Sequence, residues 1–290
     1  MPYKYAIISV FLPAFRMPMK TSFEFFPPRT AKGKQTLHQV RQELSSLNPE
    51  YFSVTFGALG TTQEATLETV LDIQKNDTVA AAPHLSCIGS KKEIIITLLD
   101  QYKAANINRL VALRGDIPSG VRDIGDFHYA NELVEFVKSQ YNNHFHIEVA
   151  AYPEVHPESK NRLTDLQHFA DKVSAGADGA ITQYFYDADA YFKFVDATEK
   201  LGINIPIVPG IMPITNYTQL VRFSNMCGAK IPSWILKKLE LYQDDLDSLS
   251  AFGLEVVTNL CQTLKAQGVD NFHFYSMNHS QPSLEIAKHL

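Results

Sequence analysis

From Thr21 onward, short runs of β-branched and aromatic residues alternate with longer stretches whose apolar residues recur every three or four positions. The short runs predict eight strands: SFEFF, YFSVTF, AAAPHL, RLVALR, HIEVAAY, GAITQYF, IPIVPGI and NFHFYSM. Amphipathic helices are expected between them. Leu37, Val40, Leu44 and Leu47 mark an apolar face after the first strand, and Leu163, Leu166, Phe169 and Val173 mark another after the fifth. Gly176 is placed to end that fifth helix in the left-handed conformation. Two helical segments are expected between strands seven and eight, one from near Ile231 and one through Leu254, Val257, Leu260 and Leu264, which puts an extra helix before the last strand.

Eight such units in 290 residues fit a single-domain α/β (β/α)8 TIM barrel better than an open doubly wound sheet. GALGTT, after the second strand, lacks the glycine spacing of a dinucleotide fingerprint. Residues 1–20 are read as an N-terminal arm and 21–290 as the domain. The arm carries an apolar run, KYAIISVFLPAF, of signal-peptide length, but no small-residue cleavage motif follows it, and a start at Met17 or Met19 is an alternative.

Composition narrows the class. A content of 45% hydrophobic residues can fill a large core, and a net charge of -5 without basic clusters excludes an electrostatic footprint for nucleic acid or anionic membrane. No stretch is long and apolar enough to span a bilayer. Cys87, Cys227 and Cys261 are far apart and outside any C-x-x-C spacing, which argues against a disulfide framework and suits a cytoplasmic protein.

A barrel enzyme carries its chemistry at the carboxyl ends of its strands. In chain order those ends present Glu24, Thr55, His84, Arg114 with Asp116, Tyr152 with His156, Gln183, the PGIMP turn, and Tyr275 with Asn278. Each has a bland reading: a rim histidine, a turn with an ion pair, a proline-stiffened loop. Their collection at one end of one barrel favours a site. Alternation along SFEFF turns Phe23 and Phe25 toward the helices and Ser22, Glu24 and Phe26 toward the interior, where a carboxyl among aromatics is expected to stay protonated near neutral pH. Asp116 is expected near it as an anion. No strand-end lysine, metal-ligand spacing or nucleophile elbow is present, so the residues call for an organic cofactor. A lyase or aldolase of another kind, or a binding protein without turnover, remain alternatives on the residues alone.

The motifs SFEFFPPRT, VTFGA, AAPHLSC, LRGD, AAYPEVHPE, AITQYFY, PGIMP and FHFYSMN, in this order from Thr21 to the carboxyl end, resemble those of methylenetetrahydrofolate reductase of the bacterial type. The resemblance implies a flavin-dependent barrel that reduces methylenetetrahydrofolate to methyltetrahydrofolate, with NADH or NADPH reducing FAD first in a ping-pong cycle. It implies Glu24 as the acid that opens the folate's five-membered ring and Asp116 as the charge that stabilises the resulting cation. For FAD it implies Thr55, Phe56, Ala58, His84, Arg114, Gly115, Asp116, Tyr129, Ala130, Tyr152, His156, Asp165, His168 and Lys172, and for substrate Asp116, Gln183, Gln219, Phe223, Tyr275 and His279. The family has arginine where this chain has His279, and asparagine where it has His168. It also implies a homo-oligomer, and, because the chain ends after its eighth unit, no added regulatory domain.

Overall fold

The computed structural model describes residues 19–56, 61–116 and 125–290. In chain order its elements are β1 (Lys20–Phe25), α1 (Ala31–Ser45), β2 (Tyr51–Val54), α2 (Thr61–Asn76), β3 (Ala80–Ser86), α3 (Lys92–Ala104), β4 (Arg109–Leu113), α4 (Ala130–Tyr141), β5 (His146–Ala151), α5 (Arg162–Ser174), β6 (Gly179–Thr182), α6 (Ala188–Lys200), β7 (Ile207–Val208), β8 (Gly210–Ile211), α7 (Tyr217–Cys227), α8 (Ser233–Leu241), α9 (Leu246–Ala266), β9 (Asn271–Tyr275) and α10 (Gln281–Lys288). The strands pair in parallel in the order β7-β6-β5-β4-β3-β2-β1-β9-β8.

The ring closes through one short segment. β7 pairs with β6 and β8 with β9, and only Pro209 separates them. Proline has no N–H to donate to a ladder, so the predicted seventh strand is split in two. Its carbonyl still accepts from His273 N at 3.0 Å, and Thr182 Oγ1 accepts from Gly210 N at 2.8 Å.

The alternation expected of β1 holds. Phe23 and Phe25 are fully buried in the outer core, where Phe23 lies against Phe274 at 5.4 Å and Phe25 meets Phe52 edge-on at 5.1 Å. Burying each such ring contributes about 2–3 kcal/mol. Ser22 and Glu24 face inward, whereas Phe26, expected with them, lies past the end of the strand and is 40% exposed. Helix α5 starts at Asn161, whose side chain accepts from Thr164 N at 3.0 Å, and Gly176 beyond its end has φ +112°. Leu166 and Phe169 are buried as the periodicity predicts, but Leu163, in the first turn, is 80% exposed.

Two helices were expected before the last strand and three are present. The additional one, α7, begins at Asn216, which accepts from Gln219 N at 2.8 Å, and ends at Gly228 with φ +76°. Its buried face includes Ser224, which pairs with the Tyr184 hydroxyl at 3.1 Å. A polar residue on the packed face breaks the apolar period that would have disclosed this helix.

Candidate functional site

Glu24 is the fifth residue of β1, flanked in register by Ser53 of β2 and Tyr275 of β9. Its side chain is 13% exposed, and among the described residues no hydrogen bond, lysine or arginine is set against it; His84 Nε2 lies 3.5 Å away. Burial alone raises its carboxyl to about 8, so it is a neutral acid at neutral pH. Burial pushes the His84 imidazole down to about 3, with His273 adding to the effect and Glu148 opposing it. The two side chains therefore meet as neutral groups.

The backbone around Glu24 is held by the turn after β9. Ser276 Oγ donates to Glu24 O at 2.6 Å, Asn278 Nδ2 donates to Phe26 O at 2.9 Å, and Phe26 N donates to Asn278 Oδ1 at 2.8 Å. The side-chain amide of Asn278 thereby continues the β1–β9 ladder past its end. To do so, Met277 and Asn278 adopt left-handed φ of 53° and 59°, a strain uncommon for two adjacent non-glycine residues. Asn278 was among the strand-end residues gathered from the sequence but was given no role, and Ser276 was not anticipated.

Tyr275 fills the mouth beside Glu24, its hydroxyl donating to Thr182 O at 2.7 Å. It lies against Gly210, where a Cβ would come within 2.6 Å of the ring and 2.1 Å of Thr182 O. Only glycine fits there.

Beside this acid lies a cleft of about 960 Å³, walled by the ends of β2 to β5 and by α4 and α5. Phe56, Arg114, Gly115, Asp116, Tyr129, Ala130, Tyr152, His156, Asp165, His168 and Lys172, all among the residues that the resemblance implies for FAD, line it. Thr55 and His84 do not line it, and Ala58 lies outside the described residues. Ser86, Ile88, Asn131, Glu158, Ser159 and Asp171 also line the cleft and were not anticipated. Glu158 and Ser159 follow directly on the YPEVHP run, which was the available signal.

One end of the cleft brings two cations, Lys172 and Arg114, to its wall. Lys172 is buried at its wall; its ammonium donates to Ala150 O at 2.5 Å and has no ion-pair partner among the described residues. Burial pulls it down to about 8, opposed by the charge of Asp165. Arg114, opposite, is held by Glu158 at 2.6 Å. Gly115 has φ +84°, and a Cβ there would strike Ser86 Oγ at 1.8 Å, so the backbone lies bare along the cleft floor. Asp165 braces the loop: Oδ1 accepts from Ser159 Oγ at 2.8 Å and Oδ2 from His156 N at 3.2 Å. An underpaired buried cation, an arginine and an exposed glycine backbone suit a dinucleotide pyrophosphate, and the flanking Phe56, Tyr129 and Tyr152 suit flat rings.

The residues expected to hold a substrate are scattered around the mouth. Gln183 Oε1 accepts from Tyr184 N at 2.9 Å, which turns its amide at the start of the loop after β6. Gln219 and Phe223 stand one turn apart on α7, and His279 is exposed after β9. Asp116 is exposed at the cleft rim, and its charge acts on Arg114 and Tyr152 rather than on Glu24. Among the described residues, no group of side chains forms a metal site.

Comparison with known proteins places this geometry. The model of the family Methylenetetrahydrofolate reductase matches residues 15–290. The 5,10-methylenetetrahydrofolate reductase of Escherichia coli (strain K12) is 38% identical over 271 residues, covering 93% of this chain and 90% of that protein. Methylenetetrahydrofolate reductase (NADH) 1 of Arabidopsis thaliana is 37% identical over 282 residues, 93% of this chain and 48% of the plant protein. A solved structure from Clostridium thermocellum, described as an uncharacterized protein that binds two copies of 5-methyl-5,6,7,8-tetrahydrofolic acid, shares the fold with TM-score 0.62 over 94% of each chain at 13% identity.

Proposed function

The chain belongs to the methylenetetrahydrofolate reductase family, and from that premise we propose that it reduces methylenetetrahydrofolate to methyltetrahydrofolate with electrons from NADH or NADPH carried by bound FAD in a ping-pong order. The observation that carries the reading is the inward carboxyl of Glu24, kept protonated by burial at the mouth of the barrel. Folate's methylene bridges two nitrogens and resists reduction until one of them is protonated and the ring opens to an iminium cation. Glu24 holds the required proton and delivers it to that nitrogen.

Asp116, with its fixed negative charge, stabilises the cation and accepts from the pterin's donor groups. The Gln183 amide reads the pterin's edge, Gln219 and Phe223 hold the folate or nicotinamide body, and Tyr275 forms the wall behind the reacting carbon. His279 reaches toward the far end of the folate with a shorter side chain than arginine. Lys172, Arg114 and His156 balance the FAD pyrophosphate, Gly115 admits it to the backbone, and the remaining cleft residues pack its rings. When bound, the flavin supplies a two-electron store between nicotinamide and folate. The NADH in the plant relative's name supports NADH as the donor. No described helix is long and apolar enough to cross a membrane, and all three cysteines are free, which supports a cytoplasmic protein feeding one-carbon metabolism and methionine synthesis; homo-oligomers are expected.

The test is optical. Purified protein should be yellow, bleach anaerobically with NADH or NADPH, and recover its colour on addition of methylenetetrahydrofolate. Colourless protein that cannot be reconstituted with FAD, or bleaching without recovery, would overturn the proposal.

A further inference from the structure

His84 occupies the fifth position of β3, inside the barrel, and is 5% exposed. Although the resemblance gives it to the cofactor, it does not line the cleft. Its Nε2 is buried, has no hydrogen-bond partner, and lies 3.5 Å from Glu24 Oε2. An N–H···O bond spans about 2.7–3.2 Å, so a small rotation of either side chain completes one. Buried nitrogens without partners are rare, and each calls for an explanation.

Of the groups nearby, Tyr275, from β9, gives its hydroxyl to Thr182 O, and His273, also from β9, has Nδ1 paired with Ser22 Oγ at 2.7 Å; His273 Nε2 and Ser53 Oγ, the latter beside Glu24 in register on β2, have no partner among the described residues, but neither is recorded in contact with the Glu24 carboxyl. Glu148, from β5, is bound by Arg109 and Tyr51. Among the described residues no other side-chain donor is set against the Glu24 carboxyl.

We propose that His84 is the positioning residue of the acid: its Nε2–H donates to Glu24 Oε2, which keeps the acid proton on Oε1 and braces the carboxylate after that proton has gone to the folate. The inference rests on the reading of Glu24 as the folate acid. Its energetic logic is differential. A hydrogen bond to a carboxylate is roughly twice as strong as one to a neutral acid, so the contact strengthens as the proton leaves. Because burial keeps both groups neutral beforehand, little of that interaction is spent on the resting state.

The experiment compares His84→Gln, His84→Asn and His84→Leu in the flavin-loaded protein. Glutamine sets an amide N–H near the place of Nε2, whereas asparagine reaches only the place of Nδ1. We expect the leucine and asparagine variants to reoxidise with methylenetetrahydrofolate about 10²-fold more slowly, and the glutamine variant to stay within about fivefold of the parent. The three are compared at equal flavin loading, and bleaching by the nicotinamide should slow far less than the folate half-reaction.

A second readout needs no turnover. In cofactor-free protein, infrared titration of the Glu24 C=O band, assigned by its loss in Glu24→Gln, should move to higher pH in His84→Leu, because the carboxylate has lost a donor. Equal slowing of both half-reactions, asparagine rescuing as well as glutamine, or an unmoved Glu24 titration would each overturn the proposal. Should the leucine variant not fold, the glutamine and asparagine pair decides. If the parent protein fails to pass electrons to folate, the functional reading falls, while the infrared titration still judges His84.

Discussion

The barrel interior holds two inward glutamates, one toward each end, and their surroundings drive them in opposite directions. Glu24, near the mouth, has neither cation nor hydrogen bond against its carboxyl among the described residues, and burial raises it to about 8. Glu148, toward the floor, is just as deeply placed, and burial again pulls it upward. There the facing His146, the charge of Arg109 and the Tyr51 hydroxyl at 2.8 Å outweigh burial and hold it below the usual carboxylate range. Arg109 also stacks on the Tyr51 ring at 4.5 Å, which in turn lies 6.0 Å from the ring of His273. One side chain type thus serves as a proton store at one end and as a locked anion in a structural plug at the other. The difference lies in the company each keeps, not in depth.

The comparison can be broken in four ways. Glu24→Gln should slow reduction of the folate by about 10³-fold, roughly 4 kcal/mol of barrel-mouth chemistry, while flavin bleaching stays near the parent. Equal loss in both half-reactions would make Glu24 structural. Glu148→Ala should do the reverse, removing about 3 kcal/mol of stability in urea unfolding because it strands the Arg109 charge, with the residual folded protein still reacting. If stability is unchanged, the floor plug is not holding the barrel together.

Acidity separates the two more gently. The folded pKa of Glu24 lies above its unfolded value, so its contribution to stability is full below about 4.5 and is lost as pH rises through about 8, at up to about 1.4 kcal/mol per unit. Glu148, with a depressed folded pKa, contributes above its unfolded value and loses that contribution as pH falls. Urea unfolding across this range should therefore flatten on the alkaline side in Glu24→Gln, and an unchanged slope would contradict the assignment. Smallest of the four, Tyr51→Phe should cost about 1 kcal/mol through the lost bond to Glu148 and leave the folate half-reaction alone. A slowed half-reaction in that variant would mean that floor and mouth are coupled.

Much of the mouth was legible because it depends on local rules. Alternation along β1 is enough to turn Glu24 inward, and the carboxyl ends of parallel strands gather Arg114, Tyr152 and Gln183 without any knowledge of distant contacts. What escaped is non-local. The pairing of Glu24 with His84 crosses from β1 to β3, and Asp116 proved to act on Arg114 and Tyr152 instead of on the acid. Glu148 reads as one letter in a strand pattern, since nothing local announces that Arg109 and Tyr51 will meet it. The split at Pro209 and the helix α7 were obscured for different reasons, one because a proline carbonyl can still close a ring and the other because Ser224 interrupts its apolar face.

The bracket that Ser276 and Asn278 form around Glu24 and Phe26 has a bearing on how the molecule is made. Its two halves stand 252 residues apart in the sequence, so Glu24 takes its bearings only once β9 and the turn after it have joined β1. Until that closure the folding chain carries this carboxyl without the bonds that fix the end of its strand.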